Sequence, residues 1–123
     1  MKYLCLVYYE EKTINAMTQR EWQLLNEECV VCGEDLRRSG HMLGGSALQP
    51  TTTATSLRVR DGKTIVTDGP FAETKEQLAG FYLLDARDLN EAIQLASKIP
   101  PARLGCVEIR PLRELNPHID ERS

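Results

Sequence analysis

At 123 residues and 13.9 kDa, with 41% hydrophobic and 27% charged residues and a formal net charge of −3, the chain has the size of one domain, too small for a catalytic module beside a separate binding module. An ordinary apolar fraction and 6% aromatics exclude a disordered or collagenous polypeptide. Fifteen Lys and Arg dispersed among eighteen Asp and Glu argue against nucleic acid as a partner, because phosphate binding calls for a concentrated basic patch.

The longest apolar run, Tyr3 to Tyr9, breaks at Glu10, Glu11 and Lys12. A membrane-spanning helix needs about 20 apolar residues, and a secretory signal follows its apolar stretch with a small-residue cleavage site. The expectation is a cytoplasmic protein with no membrane partner. Residues 3–8 are short and rich in Val and aromatics, which predicts a strand apolar on both faces.

Thr18 with Glu21 three residues on is a capping-box signature and starts a long helix. Its apolar stripe is Trp22, Leu25, Cys29, Cys32 and Leu36, and it stops before Ser39-Gly40. Residues 42–49, with Gly44-Gly45 and a closing Pro50, predict a short strand leaving into a loop. Ser56–Arg60 and Lys63–Thr67 flank Asp61-Gly62, the favoured two-residue turn of a β-hairpin. Pro70 then breaks the chain, and one helical turn is expected over Glu73 to Gln77.

Residues 79–85 read as a second strand apolar on both faces, with Phe81 and Leu83 on one side and Tyr82 and Leu84 on the other. Asp88 and Glu91 cap a helix of about three turns with the stripe Leu89, Ala92, Ile93 and Ala96, ending before Pro100-Pro101. Gly105 to Arg110 alternates with Val107 and Ile109 facing in, and the polar segment 114–123 follows as a tail to a domain over 1–113.

The order β-α-β, hairpin, β-α-β is α+β, a ferredoxin-like antiparallel sheet with two helices on one face and an inserted β-hairpin. Two helices cover one sheet face only, yet both central strands carry large apolar groups on the other. Left bare, that face is an apolar patch of a kind soluble monomers avoid. A homodimer with stacked sheets around a shared barrel-like core accounts for it.

Four cysteines include a Cys29-Val30-Val31-Cys32 pair. A redox CxxC sits at a helix N-terminus and a zinc site needs further ligands. This pair lies inside a helical stripe, which reads as core packing, with reduced structural thiols also at Cys5 and Cys106. No metal site is expected, and no nucleotide-cradling or nucleophile-elbow motif is present, so no cofactor is expected.

The block from Val66 to Tyr82, with Asp68-Gly69-Pro70-Phe71 at its start, the opening Met1-Lys2-Tyr3-Leu4 and the closing Val107-Glu108-Ile109-Arg110-Pro111-Leu112 resemble the YCII-related proteins, in the branch named for its Asp-Gly-Pro-Phe motif. The resemblance runs over roughly residues 1–113. It implies a dimeric α+β barrel. It also implies a suspected enzyme with a His–Asp pair in a cleft, one relative acting in dechlorination of an aromatic breakdown product. Members of this branch are further associated with sigma factors of the extracytoplasmic-function type. The Asp of the pair maps onto Asp68. The His lies on the first helix in YCII proteins, and residues 18–39 here contain none.

Read from the residues themselves, Asp68 at a strand end beside Gly69 is either a proton carrier facing a cleft or the acceptor of an Asx-turn. His41, after the long helix, is either its partner or a helix-terminus residue meeting the last carbonyls. Arg58, Arg60 and Arg110 on strands either hold a substrate carboxylate or phosphate or form solvated faces. Tyr8 and Tyr82 line the same cavity or belong to the core. Glu73 and Lys75 are further candidates from the family block. Two functions follow: a cofactor-free acid–base enzyme of isomerase or lyase type on a small molecule, using Asp68, or a non-catalytic ligand-binding or regulatory dimer acting with a sigma factor.

Overall fold

A computed structural model of the chain describes residues 1–120 and 122. Six strands and three helices follow one another as β1 (Lys2–Tyr9), α1 (Glu11–Asn15), α2 (Gln19–Arg38), β2 (Met42–Ala47), β3 (Thr55–Arg60), β4 (Lys63–Asp68), β5 (Gln77–Asp85), α3 (Leu89–Ala96) and β6 (Cys106–Pro111). Strands β2-β5-β1-β6 form one antiparallel sheet in ferredoxin-like order, while β3 and β4 pair only with each other. The hairpin is therefore an excursion between β2 and β5, outside the main sheet.

The capping box forms as expected: the Thr18 hydroxyl accepts the Glu21 N–H, and the Glu21 carboxylate accepts the Thr18 N–H. That reciprocal pairing satisfies donors a helix start otherwise leaves open. The far end closes as a Schellman motif, with Gly40 N–H on the Arg37 carbonyl and His41 N–H on the Leu36 carbonyl, and Gly40 at φ +80°. Two members of the expected stripe depart from it. Trp22 is 41% exposed and Cys29 is half-buried, so the buried face of α2 is Leu25, Cys32, Gly33 and Leu36.

Of these, Cys32 and Leu36 pack with Tyr3, Cys5 and Val7 of β1, Leu84 of β5, Ala92, Leu95 and Ala96 of α3 and Ile99. Alternation then puts Leu4, Leu6 and Tyr8 of β1, with Phe81 and Leu83 of β5, on the opposite face, where they are only half-buried. Both long helices serve one face of the sheet.

Local expectations fail at three places. Residues 73–77 form no helical turn: Gln77 begins β5 opposite Tyr9, and the Thr74 hydroxyl donates to the Glu76 carbonyl while the Gln77 amide donates to the Thr74 carbonyl. Such side-chain bonds offer the backbone an alternative to helix. Helix α3 has eight residues, about two turns rather than three, because the chain turns into a short 3₁₀ segment at Pro100–Arg103. Its cap is also not fully reciprocal, since Asp88 accepts the Glu91 N–H but the Glu91 carboxylate takes the Arg87 N–H. The short α1 has no counterpart among the expected elements.

Candidate functional site

The expected site residues fall into separate neighbourhoods. In the hairpin, Thr55 stands opposite Asp68, Leu57 opposite Val66 and Val59 opposite Thr64, so these six share one face. Ser56, Arg58, Arg60, Lys63, Ile65 and Thr67 share the other. Asp68 thus ends the face that carries Leu57, Val59 and Val66 between Thr55 and Thr64, and Arg58 and Arg60 lie together on the reverse, all three exposed. Gly69, at φ +100°, donates its N–H to the Ala54 carbonyl and accepts the Ser56 hydroxyl on its own carbonyl. Among the described residues the Asp68 carboxylate makes no hydrogen bond or ion pair, so it does not act as the acceptor of its own turn.

His41 belongs elsewhere. Its ring sits at the start of the main sheet with Nδ1 2.9 Å from the Asp85 carbonyl oxygen, which assigns the proton to Nδ1 and leaves Nε2 as the free acceptor. The nearest carboxylate is Glu91, at 4.0 Å and already paired with Arg87 at 2.8 Å. Within one chain His41 precedes β2 of the main sheet whereas Asp68 ends β4 of the hairpin, and among the described residues the two share no hydrogen bond.

Arg110 lies on edge strand β6 opposite Leu4, exposed, with its Nε 3.9 Å from Glu108. It is on the main sheet, apart from Arg58 and Arg60. Tyr8 is on the open face, whereas Tyr82 faces the helices against the core, so the sheet separates the two rings. Burial, and then the nearby Cys29 and Cys32, push the Tyr82 phenol up to about 12. Burial also raises both Cys29 and Cys32 thiols. Raised thiol pKa values are the opposite of what a redox pair needs, and all four cysteines are free.

A pocket absent from the sequence expectations lies where β1 runs into α1 and α2. It has a volume of about 470 Å³ and is walled by Tyr9, Met17, Trp22, Leu48 and Leu78. Tyr9 is raised in pKa by burial and, next, by Glu11. The same corner is tied together by Glu11. Its carboxylate accepts both the Thr51 N–H, at 3.0 Å, and the Thr51 hydroxyl, while its own N–H donates to Gln77 Oε1 at 2.8 Å. Thr51 precedes the hairpin and Gln77 follows it. One residue of α1 therefore clasps both roots of the excursion beside the pocket. The one sequence signal for this corner was Trp22, the single tryptophan, placed on a helical stripe but left half outside the core.

A second, larger groove of about 660 Å³ runs between α2 and α3 over Leu24, Val31, Leu36 and Leu95, rimmed by Glu27, Glu28, Asp35, Lys98 and Arg103. Arg103 is held by Glu28 at 2.7 Å. No group of three or more potential metal ligands converges among the described residues, and no helix there is long and apolar enough to cross a membrane.

The family model for the YCII-related domain matches residues 1–116. The chain belongs to the YCII-related family. It is also 39% identical over 119 residues to an uncharacterized protein of Rhizobium meliloti, covering 95% of this chain and 96% of that one. The family match spans the pocket, the clasp and the hairpin alike, so these features of the YCII-related chain lie within the family's own domain.

Proposed function

We propose that this YCII-related protein, of the Asp-Gly-Pro-Phe branch, is a homodimeric α+β barrel that binds a small, largely apolar molecule in the Tyr9–Trp22 pocket. The observation that carries the binding reading is the pocket's composition: an indole and a phenol ring with Met17, Leu48 and Leu78, beside polar side chains that include Glu11, Asn15, Gln19 and Gln49. Small-molecule sites combine apolar and aromatic walls with placed polar groups. The dimer reading is supported by Leu4, Leu6, Phe81 and Leu83 on the sheet face that the chain's own helices leave open.

Because Trp22 is the single tryptophan, binding is testable by energy transfer from it to the neutral fluorophore N-phenyl-1-naphthylamine. Saturable transfer that is lost in Leu48→Arg supports the pocket. Absence of saturable transfer, or transfer indifferent to Leu48→Arg, overturns it. Light scattering that returns the mass of one chain overturns the dimer.

The free Asp68 carboxylate favours a second reading, cofactor-free proton transfer on the bound molecule. Solvent deuterium incorporation into small lactones and enolisable acids, followed by NMR and abolished in Asp68→Asn, is the corresponding test. Equal incorporation with and without Asp68 refutes it.

A further inference from the structure

The pocket beside α1 has a charge as well as a shape. Among the side chains that line it, Glu11 alone is an acid or a base of full charge. Asn15, Gln19 and Gln49 are neutral amides, and no Lys, Arg or His reaches the pocket among the described residues. The larger groove between α2 and α3 differs in this respect, because Lys98 and Arg103 stand on its rim with the acids.

Nothing in the described chain offsets the Glu11 charge. Its two partners at Thr51, the N–H and the hydroxyl, are neutral donors, and no cationic side chain forms an ion pair with it among the described residues. Each of those bonds goes to a different carboxylate oxygen, and a carboxylate offers about four acceptor sites, so capacity for a further partner remains. The charge is felt at the Tyr9 phenol, which burial first and then Glu11 hold above the ordinary tyrosine value. Helix α2 also begins at this pocket, and a helix start ordinarily favours an anion. Here the capping box closes that end with the Glu21 carboxylate, a second negative charge.

The rings of Tyr9 and Trp22 complete the wall. Aromatic faces attract cations, indole most strongly, and quaternary ammonium groups are held in this way. We infer that the Tyr9–Trp22 pocket selects small amphipathic organic cations, with an ammonium head beside Glu11 and the aromatic rings and an apolar body against Met17, Leu48 and Leu78. The inference rests on the pocket reading above and names the ligand class for it. An anion of the same shape is rejected, because it meets an uncompensated carboxylate and no cationic side chain.

The test uses the full chain and displacement of N-phenyl-1-naphthylamine, read as loss of energy transfer from Trp22. Three competitors share one phenylpropyl skeleton and differ in charge: phenylpropyltrimethylammonium, phenylpropanol and phenylbutyrate. The expected order is ammonium, alcohol, carboxylate, with the ammonium displacing the probe at roughly 10-fold lower concentration than the carboxylate. In Glu11→Gln that preference should fall below about 3-fold. NMR of the native protein should show contacts from the N-methyl protons to the Trp22 indole and the Glu11 side chain. Saturable probe transfer with equal displacement by all three, or with the carboxylate ahead, overturns the cation preference and leaves the pocket reading standing. A preference that Glu11→Gln leaves intact, or N-methyl contacts only elsewhere on the chain, does the same. Absence of saturable transfer overturns both. Because Glu11 also clasps the hairpin, circular dichroism checks the variant's fold; should it fail, the displacement order and the N-methyl contacts of the native protein decide alone.

Discussion

Glu11→Ala tests whether the clasp sets the position of the hairpin. In the native chain the Glu11 carboxylate takes the Thr51 N–H at 3.0 Å and the Thr51 hydroxyl. Alanine leaves that part-buried N–H without its acceptor. A hydrogen bond to a charged group is worth about 1.5–3 kcal/mol. Two such bonds to one residue are not additive, and the site is partly open to water, so the expected loss is about 2–3 kcal/mol. With a urea slope of about 1–3 kcal/mol/M, that moves the unfolding midpoint down by roughly 0.7–3 M. The measurement is made at one fixed protein concentration, since the apparent stability of a dimer varies with it. Glu11→Gln keeps one acceptor oxygen and should lose about half as much. Amide exchange supplies the local readout: Thr51, Ala54 and Gly69 should lose protection while the α2 amides keep theirs. A midpoint shift below roughly 0.3 M, with exchange at Thr51 and Gly69 unchanged, would refute the clasp.

The remaining predictions concern the sheet and the core. Gly105→Ala should be strongly destabilising, by about 3 kcal/mol or more, because an added Cβ runs into the Tyr8 backbone carbonyl; Gly44→Ala, where an added Cβ meets open space, should cost under about 1 kcal/mol, and equal thermal midpoints for the two would contradict the close approach of Gly105 to β1. Thiol titration with a disulfide reagent at pH 8 should modify exposed Cys106 first and Cys5 last, since Cys5 is fully buried and burial pushes its thiol up to about 11; early loss of Cys5 would mean that the core opens readily. Alkaline stability should fall through Tyr82. Its phenol holds its proton up to about 12 in the folded chain against 10.0 ordinarily, so its contribution is complete below pH 10 and is lost as the pH rises toward 12. Urea midpoints between pH 9.5 and 11.5 should therefore drop less steeply in Tyr82→Phe than in the native protein, and parallel slopes would show that Tyr82 is not the group responsible.

What the sequence reveals about this fold depends on how local the deciding interactions are. Helix α2 is legible because Thr18 and Glu21 are three residues apart and Gly40 ends the helix within the same stretch of chain. The central strands are legible because their alternation carries its own faces: Tyr3, Cys5 and Val7 are buried while Leu4 and Leu6 are half-open. The Glu11 clasp has no such signal. It joins residues 40 and 66 positions apart, and α1 is too short at five residues to announce itself by periodicity. The helical turn expected over 73–77 fails for the same reason, since Gln77 answers to Glu11 and to its strand partner Tyr9.

The hairpin lies between these cases, and its parity decides how Asp68 is to be read. A two-residue turn at Asp61-Gly62, both at positive φ, forces Arg60 opposite Lys63. Counting outward, Leu57 meets Val66 and Thr55 meets Asp68. Asp68 therefore belongs with the apolar residues and cannot share a face with Arg58 or Arg60, whatever the rest of the chain does. A single inserted residue at the turn would change this pairing and move one strand's side chains to the other face. The same arithmetic sets Leu57, Val59 and Val66 on one side of the hairpin, where they are exposed among the described residues. These apolar residues alternate with Thr55, Thr64 and Asp68 on strands held in register by their turn and at their roots by Glu11, so the carboxylate keeps to that side of the hairpin.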